Sequence, residues 1–251
     1  MAADEPESAP LGQQLGRAAL LLGGLTSFVF AMQLMLAAKR GRIPVMDAGH
    51  VSDALRVGAL LVEPEWIAAE PFRLLSAVYV HFGLLHFAFN MFGFVSLART
   101  AEHFVGTART IIAFVVTGVF GFAVTVVFQL LVSGRPSLTA GASGGILGVM
   151  GLLLGILMRK RDPRWKPFAI QAIFYTALFG FAVNMSNAGF AVNNAAHFGG
   201  LFAGWVLGMA WGRRGQADGP VTRGVATALL VASVLSLMLS GMSERPGLID
   251  F

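Results

Sequence analysis

The sequence predicts an all-α, polytopic membrane protein, and three observations carry that prediction. Hydrophobic residues make up 56% of the 251 residues and charged ones only 12%, whereas soluble domains carry roughly 25% charged residues. The mean hydropathy is +0.72. Apolar runs of bilayer length, about 20 residues each, recur along the chain. The net charge is +5, but the basic residues sit in the short connections between those runs. That is how topology signals are distributed, and it argues against a nucleic-acid-binding patch. The bilayer is therefore an expected partner and nucleic acid is not. Cysteine is absent, which excludes disulfides, thiolate catalysis and Cys-ligated metals.

Taken in order, residues 1–14 form a short tail that contains Asp4, Glu5 and Glu7. It lacks the basic n-region of a signal peptide, so the first apolar run, 15–37, is expected to be a retained span. The only long connection follows, 38–82, with Pro44, Pro64, Trp66, Pro71, Phe72 and Tyr79. It is too polar to span and too aromatic for a plain linker, so it is predicted to be an interfacial, partly helical loop in the outer leaflet. Six further spans are expected at 83–99, 109–132, 140–158, 166–184, 194–212 and 222–241, the last within a 213–251 segment of linker, helix and short outer tail.

Orientation follows from the short connections. Arg99 and Arg109, then Arg159, Lys160, Arg161, Arg164 and Lys166, then Arg213, Arg214 and Arg223 fall on one side. The opposite connections hold Arg135 alone, and no charge at all between 184 and 194. The positive-inside rule then puts the N-terminus in the cytoplasm and the C-terminus outside. Lys39, Arg40 and Arg42 run against this, but in a long loop, where the rule is weak. The bias of Arg over Lys, with abundant Ala and Gly, points to a bacterial inner (plasma) membrane.

With this topology the spans at 83–99, 140–158 and 194–212 all descend from the outer face. His86 and Asn90 lie in the first two turns of one, Ser143 in the first turn of the next, and His197 in the first turn of the third. At 1.5 Å rise per residue these polar groups share one depth. An unpartnered imidazole is costly there, and a serine that meets a histidine pairs a nucleophile with its base. Gly141, Gly144 and their successors on one span, with Gly200, Gly204, Gly208 and Gly212 on the other, let the two backbones approach closely. Each feature has a plainer reading: a glycine stripe alone is packing, a lone serine bonds its own helix, and a lone histidine ties helices or relays protons. Their conjunction is what favours chemistry. No HExxH occurs and no Asp or Glu lies within the last five spans, so zinc-protease and aspartyl-pair chemistry are unsupported. Any serine chemistry must run on a dyad without a carboxylate.

These residues resemble the motifs of the rhomboid intramembrane serine proteases. Gly141-Ala142-Ser143-Gly144 is similar to their GxSG, and Ala196-His197-Phe198-Gly199-Gly200 with Gly204 to their AHxxGxxxG. The stretch from His81 through His86 to Asn90 resembles their HxxxxHxxxN. Phe72-Arg73 stands where many members have Trp-Arg, and Glu102 with Gly106 resembles their ExxxG.

The resemblance spans about residues 70–210. It implies a six-helix rhomboid-like core over 15–212, with the seventh, C-terminal transmembrane helix as an accessory. It also implies Ser143 as nucleophile, His197 as general base, and His86 and Asn90 with the Ser143 N–H as the oxyanion hole. His81 would tie the loop to the second span, and Phe72, Arg73 and Glu102 would orient the loop. Leu147 replaces an aromatic that packs on the histidine in some members.

The implied substrates are transmembrane segments of other proteins, cut near the outer face, with no cofactor or metal. The span at 166–184 and the connection at 185–194 are expected to be gate and lid. One alternative is a non-proteolytic rhomboid-like client-binding chaperone or adaptor, although such relatives typically lack the serine or the histidine. A small transporter or channel is another, disfavoured by the absence of intramembrane carboxylates and of a repeat. Oligomeric state is not readable from the sequence.

Overall fold

A computed structural model of the chain describes residues 16–42, 50–134, 136–178, 180, 184, 192–212 and 218–243. The N-terminal tail, part of the long loop, most of the expected lid and the linker at 213–217 lie outside the described residues.

The architecture is helical. Among the described residues, α1 (Arg17–Lys39), α6 (Thr107–Phe128, prolonged by a π-helical turn to Ser133) and α10 (Pro220–Met242) are each long and apolar enough to cross a membrane. Between α1 and α6, the long loop folds into α2 (Val51–Val57), strand β1 (Leu60–Val62), α3 (Pro64–Ala69), α4 (Arg73–Ser76) and a 3-10 turn (Ala77–Tyr79). The chain then bends by 89° into α5 (Leu84–Val105). After α6 come strand β2 (Ser137–Thr139), α7 (Ser143–Arg159), α8 (Trp165–Ile173, with a π-helical turn to Leu178) and α9 (Asn194–Trp211).

A helix lies within each expected span, with some bounds displaced. Among the described residues, however, only α1, α6 and α10 are long and apolar enough to cross by themselves. Residues 179 and 181–183 of the expected 166–184 span lie outside the described residues. The second span runs on to Val105 because the polar residues Arg99, Glu102 and His103 stay helical past the apolar run. To this helical frame the structure adds a two-stranded antiparallel ribbon, with Leu60 opposite Thr139 and Val62 opposite Ser137. It fastens the long loop to the segment that leads into α7.

The core is built of Phe94 on α5, Phe114 on α6, Val149, Leu152 and Ile156 on α7, and Val78 and Tyr79 of the loop, all buried. The short joint between α5 and α6 is closed by carboxylates. Glu102 accepts from Ala18 N at 2.9 Å and from the Thr107 hydroxyl at 2.7 Å, and Asp218 accepts from Ala108 N at 2.7 Å. Acceptors placed there satisfy amides that the first turns of α1 and α6 leave unpaired.

Candidate active site

Among the described residues the most extensive helix contact is between α7 and α9, and its small residues explain it. A Cβ on Gly200 would overlap the carbonyl oxygen of Gly144, and one on Gly204 would overlap that of Gly148. Gly144 contributes its backbone to this crossing. Lipid tails are as apolar as leucine side chains, so close backbone approach rather than hydrophobic exclusion holds such a pair together. Ser143 opens α7 and His197 lies in the first turn of α9, so the crossing sets them side by side. Ser143 Oγ lies 2.7 Å from His197 Nε2. His197 is 8% exposed and Ser143 half-buried. His197 Nδ1 is buried, with no hydrogen-bond partner among the described residues, so no carboxylate there orients the ring.

Gly141 differs from the packing role expected of it. It precedes α7, has φ of +139°, and a Cβ there would sit 2.9 Å from His86 Cε1. Its job is a left-handed turn that lets His86 come close to the start of α7, since L side chains avoid such φ values. Gly141 N donates to Ala77 O at 2.9 Å, which pins that turn to the long loop. His86 Nδ1 accepts from Phe82 N at 3.3 Å, so the neutral ring carries its proton on Nε2. Asn90, one turn on, spends one amide proton on His86 O at 2.7 Å. The Ser143 N–H belongs to the first turn of α7, where no carbonyl of its own helix reaches it.

The remaining expected residues separate. Arg73 is buried in the loop, where its guanidinium donates to Leu55 O at 2.6 Å, to Ala59 O at 3.1 Å and to Glu70. It also lies over the rings of Trp66 and Phe72, 5.6 and 5.9 Å from their centroids. The partner of Arg73 is therefore Glu70. Glu102 does not orient the loop: it sits at the far end of α5, capping α1. The sequence motif placed it at the close of that span, but did not give its partner.

His81 is fully buried, with its ring edge-on to His86 and Phe87 at 4.9 and 5.6 Å. Its backbone, however, is bonded to Gln33 of α1: Gln33 Nε2 donates to His81 O at 2.8 Å, and His81 N donates to Gln33 Oε1 at 3.2 Å. Leu147 packs with Met150 and Ala172, beside Phe168 and Leu201.

Two features escaped the sequence reading. Asn193, the N-cap of α9, joins three elements through one amide; an Asn at the start of an apolar helix is a legible capping signal. The second is a set of hydroxyl bonds from α10 to the loop. Tyr79 Oη donates to Ser233 Oγ at 2.8 Å, Ser240 Oγ donates to Ser76 Oγ at 3.1 Å, and Ser243 donates to Glu70. No cluster that could hold a metal ion is found among the described residues.

Comparison with known proteins gives one consistent answer. The chain is 28% identical over 195 residues to the rhomboid protease GluP of Bacillus subtilis (strain 168), covering 76% of this chain and 35% of that protein. It is 30% identical over 141 residues to the mitochondrial RHOMBOID-like protein 6 of Arabidopsis thaliana, covering 55% of this chain and 43% of that one. Rhomboid-like protease 5 of Toxoplasma gondii is 28% identical over 180 residues, 68% of this chain and 20% of that protein. The chain thus spans less than half the length of these relatives. The family model of the Rhomboid domain matches residues 68–214, more than half of the chain, and takes in α5, α7 and α9 with their polar ends. This integral membrane protein belongs to the rhomboid family.

Proposed function

We propose that this chain is an intramembrane serine endopeptidase that cleaves transmembrane segments of other membrane proteins. The observation that carries the reading is the 2.7 Å contact of Ser143 Oγ with His197 Nε2 at the buried head of a glycine-built helix crossing. In this mechanism Ser143 Oγ attacks the scissile carbonyl carbon while His197 Nε2 takes its proton. The tetrahedral intermediate then collapses, and the same proton passes to the leaving amine. Water, deprotonated by His197, hydrolyses the acyl-enzyme and restores the serine. Peptide hydrolysis inside a membrane protein needs a water-containing cavity walled from lipid by protein, and polar groups are tolerated in such a place.

The oxyanion falls to donors already present: the Ser143 N–H at a helix N-terminus, the Nε2–H of His86 and the free amide proton of Asn90. Loss of one such donor costs about a hundred- to a thousand-fold in rate. The imidazole has no orienting carboxylate among the described residues, so its alignment rests on backbone placement.

We place the protein in a bacterial inner membrane with the N-terminus in the cytoplasm, the C-terminus outside and the site near the outer face. The basic connection after α7 supports this orientation. Arg40 and Arg42, which run against it, are both bonded to the buried Asp53, which offsets one of their two charges within the loop. The core at 15–212 would be the catalytic unit, with α10 as its accessory. The proposed partners are single-span substrates and the bilayer.

The test is fluorophosphonate labelling of the detergent-purified protein beside Ser143→Ala and His197→Ala. Labelling of the wild type and its loss in both variants is the expected result. A folded wild type that neither labels nor cleaves a model span would replace this reading with client binding.

A further inference from the structure

The contact between Ser143 and His197 has a twin. Thr139 stands four residues before Ser143 and Asn193 four before His197, and Asn193 Nδ2 donates to Thr139 Oγ1 at 2.8 Å. The two side-chain bonds therefore link the same two stretches of chain at the same sequence separation, 54 residues. Thr139 is 6% exposed and ends β2, opposite Leu60, two residues before the turn at Gly141. The other end of the Asn193 amide is equally engaged. Its Oδ1 accepts from Ala196 N at 3.0 Å, capping α9, and lies 3.1 Å from Thr125 Oγ1 on α6. The Thr125 hydroxyl also reaches Gly121 O at 3.0 Å, so its one proton is shared.

From this geometry we infer that Asn193 and Thr139 are positioning residues for the serine–histidine pair, an inference that rests on the proposed protease reading. The imidazole has no polar partner on Nδ1 among the described residues, so the place of His197 is set by where α9 begins. Asn193 fixes that beginning against the strand that delivers Ser143. An amide suits the position because it offers an acceptor to the helix amide and a donor to the hydroxyl at once. A carboxylate would offer acceptors only, and alanine neither. A misplacement of about 1 Å between reacting groups costs about a hundred-fold in rate, so a bond this close to both groups has large leverage on turnover. Both polar ends of the Asn193 amide are engaged within the protein, so unchanged KM is expected when the bond is lost.

Thr139→Val removes the bond and leaves the cap intact. Asn193→Ser keeps a capping oxygen but is too short to reach Thr139. Each is expected to slow Ser143 labelling by about ten-fold and to lower kcat at unchanged KM. The double variant should be no slower than either single one, and Thr139→Ser should restore most of the rate. A readout independent of turnover accompanies these: the imidazole 15N shifts of His197, assigned by their loss in His197→Ala, should move in Thr139→Val and return in Thr139→Ser. Unchanged rates in both single variants, additive losses in the double, or a loss that serine does not rescue would overturn the inference. So would 15N shifts that stay fixed. If the wild type has no Ser143-dependent reactivity but the shifts move as stated, the protease reading fails and the positioning role stands.

Discussion

On one flank of the α7–α9 pair the loop at 50–82 is tied down by buried polar groups, while on the other α8 leans on α7 through a few apolar side chains. The loop holds Asp53 and Arg73 out of solvent with every strong bond directed. Ser76 Oγ donates to Gly58 O at 2.8 Å, and Tyr79 reaches across to α10. Among the described side chains of α8 and its π-helical turn only Ala172 and Thr176 are buried, while Ile170, Ile173, Phe174 and Tyr175 are exposed. Directed bonds in a dry interior are costly to leave unmade, so the loop flank has one position. Apolar contacts between membrane helices compete with equally apolar lipid, so the α8 flank can be displaced. On the proposed protease reading, a substrate helix would enter on the α8 side.

The comparison can be broken most directly at Arg73. Arg73→Ala removes a buried cation from between Glu70 and two carbonyls, and about 3–5 kcal/mol of stability should go with it. Thermal unfolding in detergent would show this, and a midpoint that barely moved would mean the loop is not locked. Next in size is the crossing that both flanks lean on. Gly204→Val forces a side chain against the Gly148 carbonyl, and overpacking of this kind costs about 1–3 kcal/mol; the midpoint and the labelling rate should fall together.

Tyr79→Phe then sharpens the picture by deleting one hydrogen bond between the loop and α10. About 1 kcal/mol is expected, and the loss should vanish in a Ser233→Ala background. Smallest is Ile173→Ala on the exposed face of α8, expected to stay within about 0.5 kcal/mol. A shift there as large as that of Tyr79→Phe would erase the contrast between the flanks.

Much of this frame was legible in the chain. The runs at 15–37 and 222–241 became Arg17–Lys39 and Pro220–Met242, because bilayer length and composition leave little freedom. The shared depth of His86, Ser143 and His197 followed from counting turns. What was not legible depends on contacts distant in sequence. Leu60–Val62 and Ser137–Thr139 are too short to show alternation, and each is a strand only because the other lies beside it. Gly141 reads like any glycine of a packing stripe until its φ and the nearness of His86 are known. Glu102 belongs to a motif that fixes its spacing but not its partner, and that partner is the start of α1. Asn193 could have been found as a cap, although its bond to Thr139 could not.

The hydroxyls along α10 carry a consequence for how the protein is made. Ser233, Ser240 and Ser243 bond residues of the loop that precede them by 154, 164 and 173 positions. Synthesis runs from the N-terminus, so Tyr79, Ser76 and Glu70 are in the membrane long before these partners exist. The loop flank therefore gains these three bonds only after the last helix has been made, later than the helices that carry Ser143 and His197.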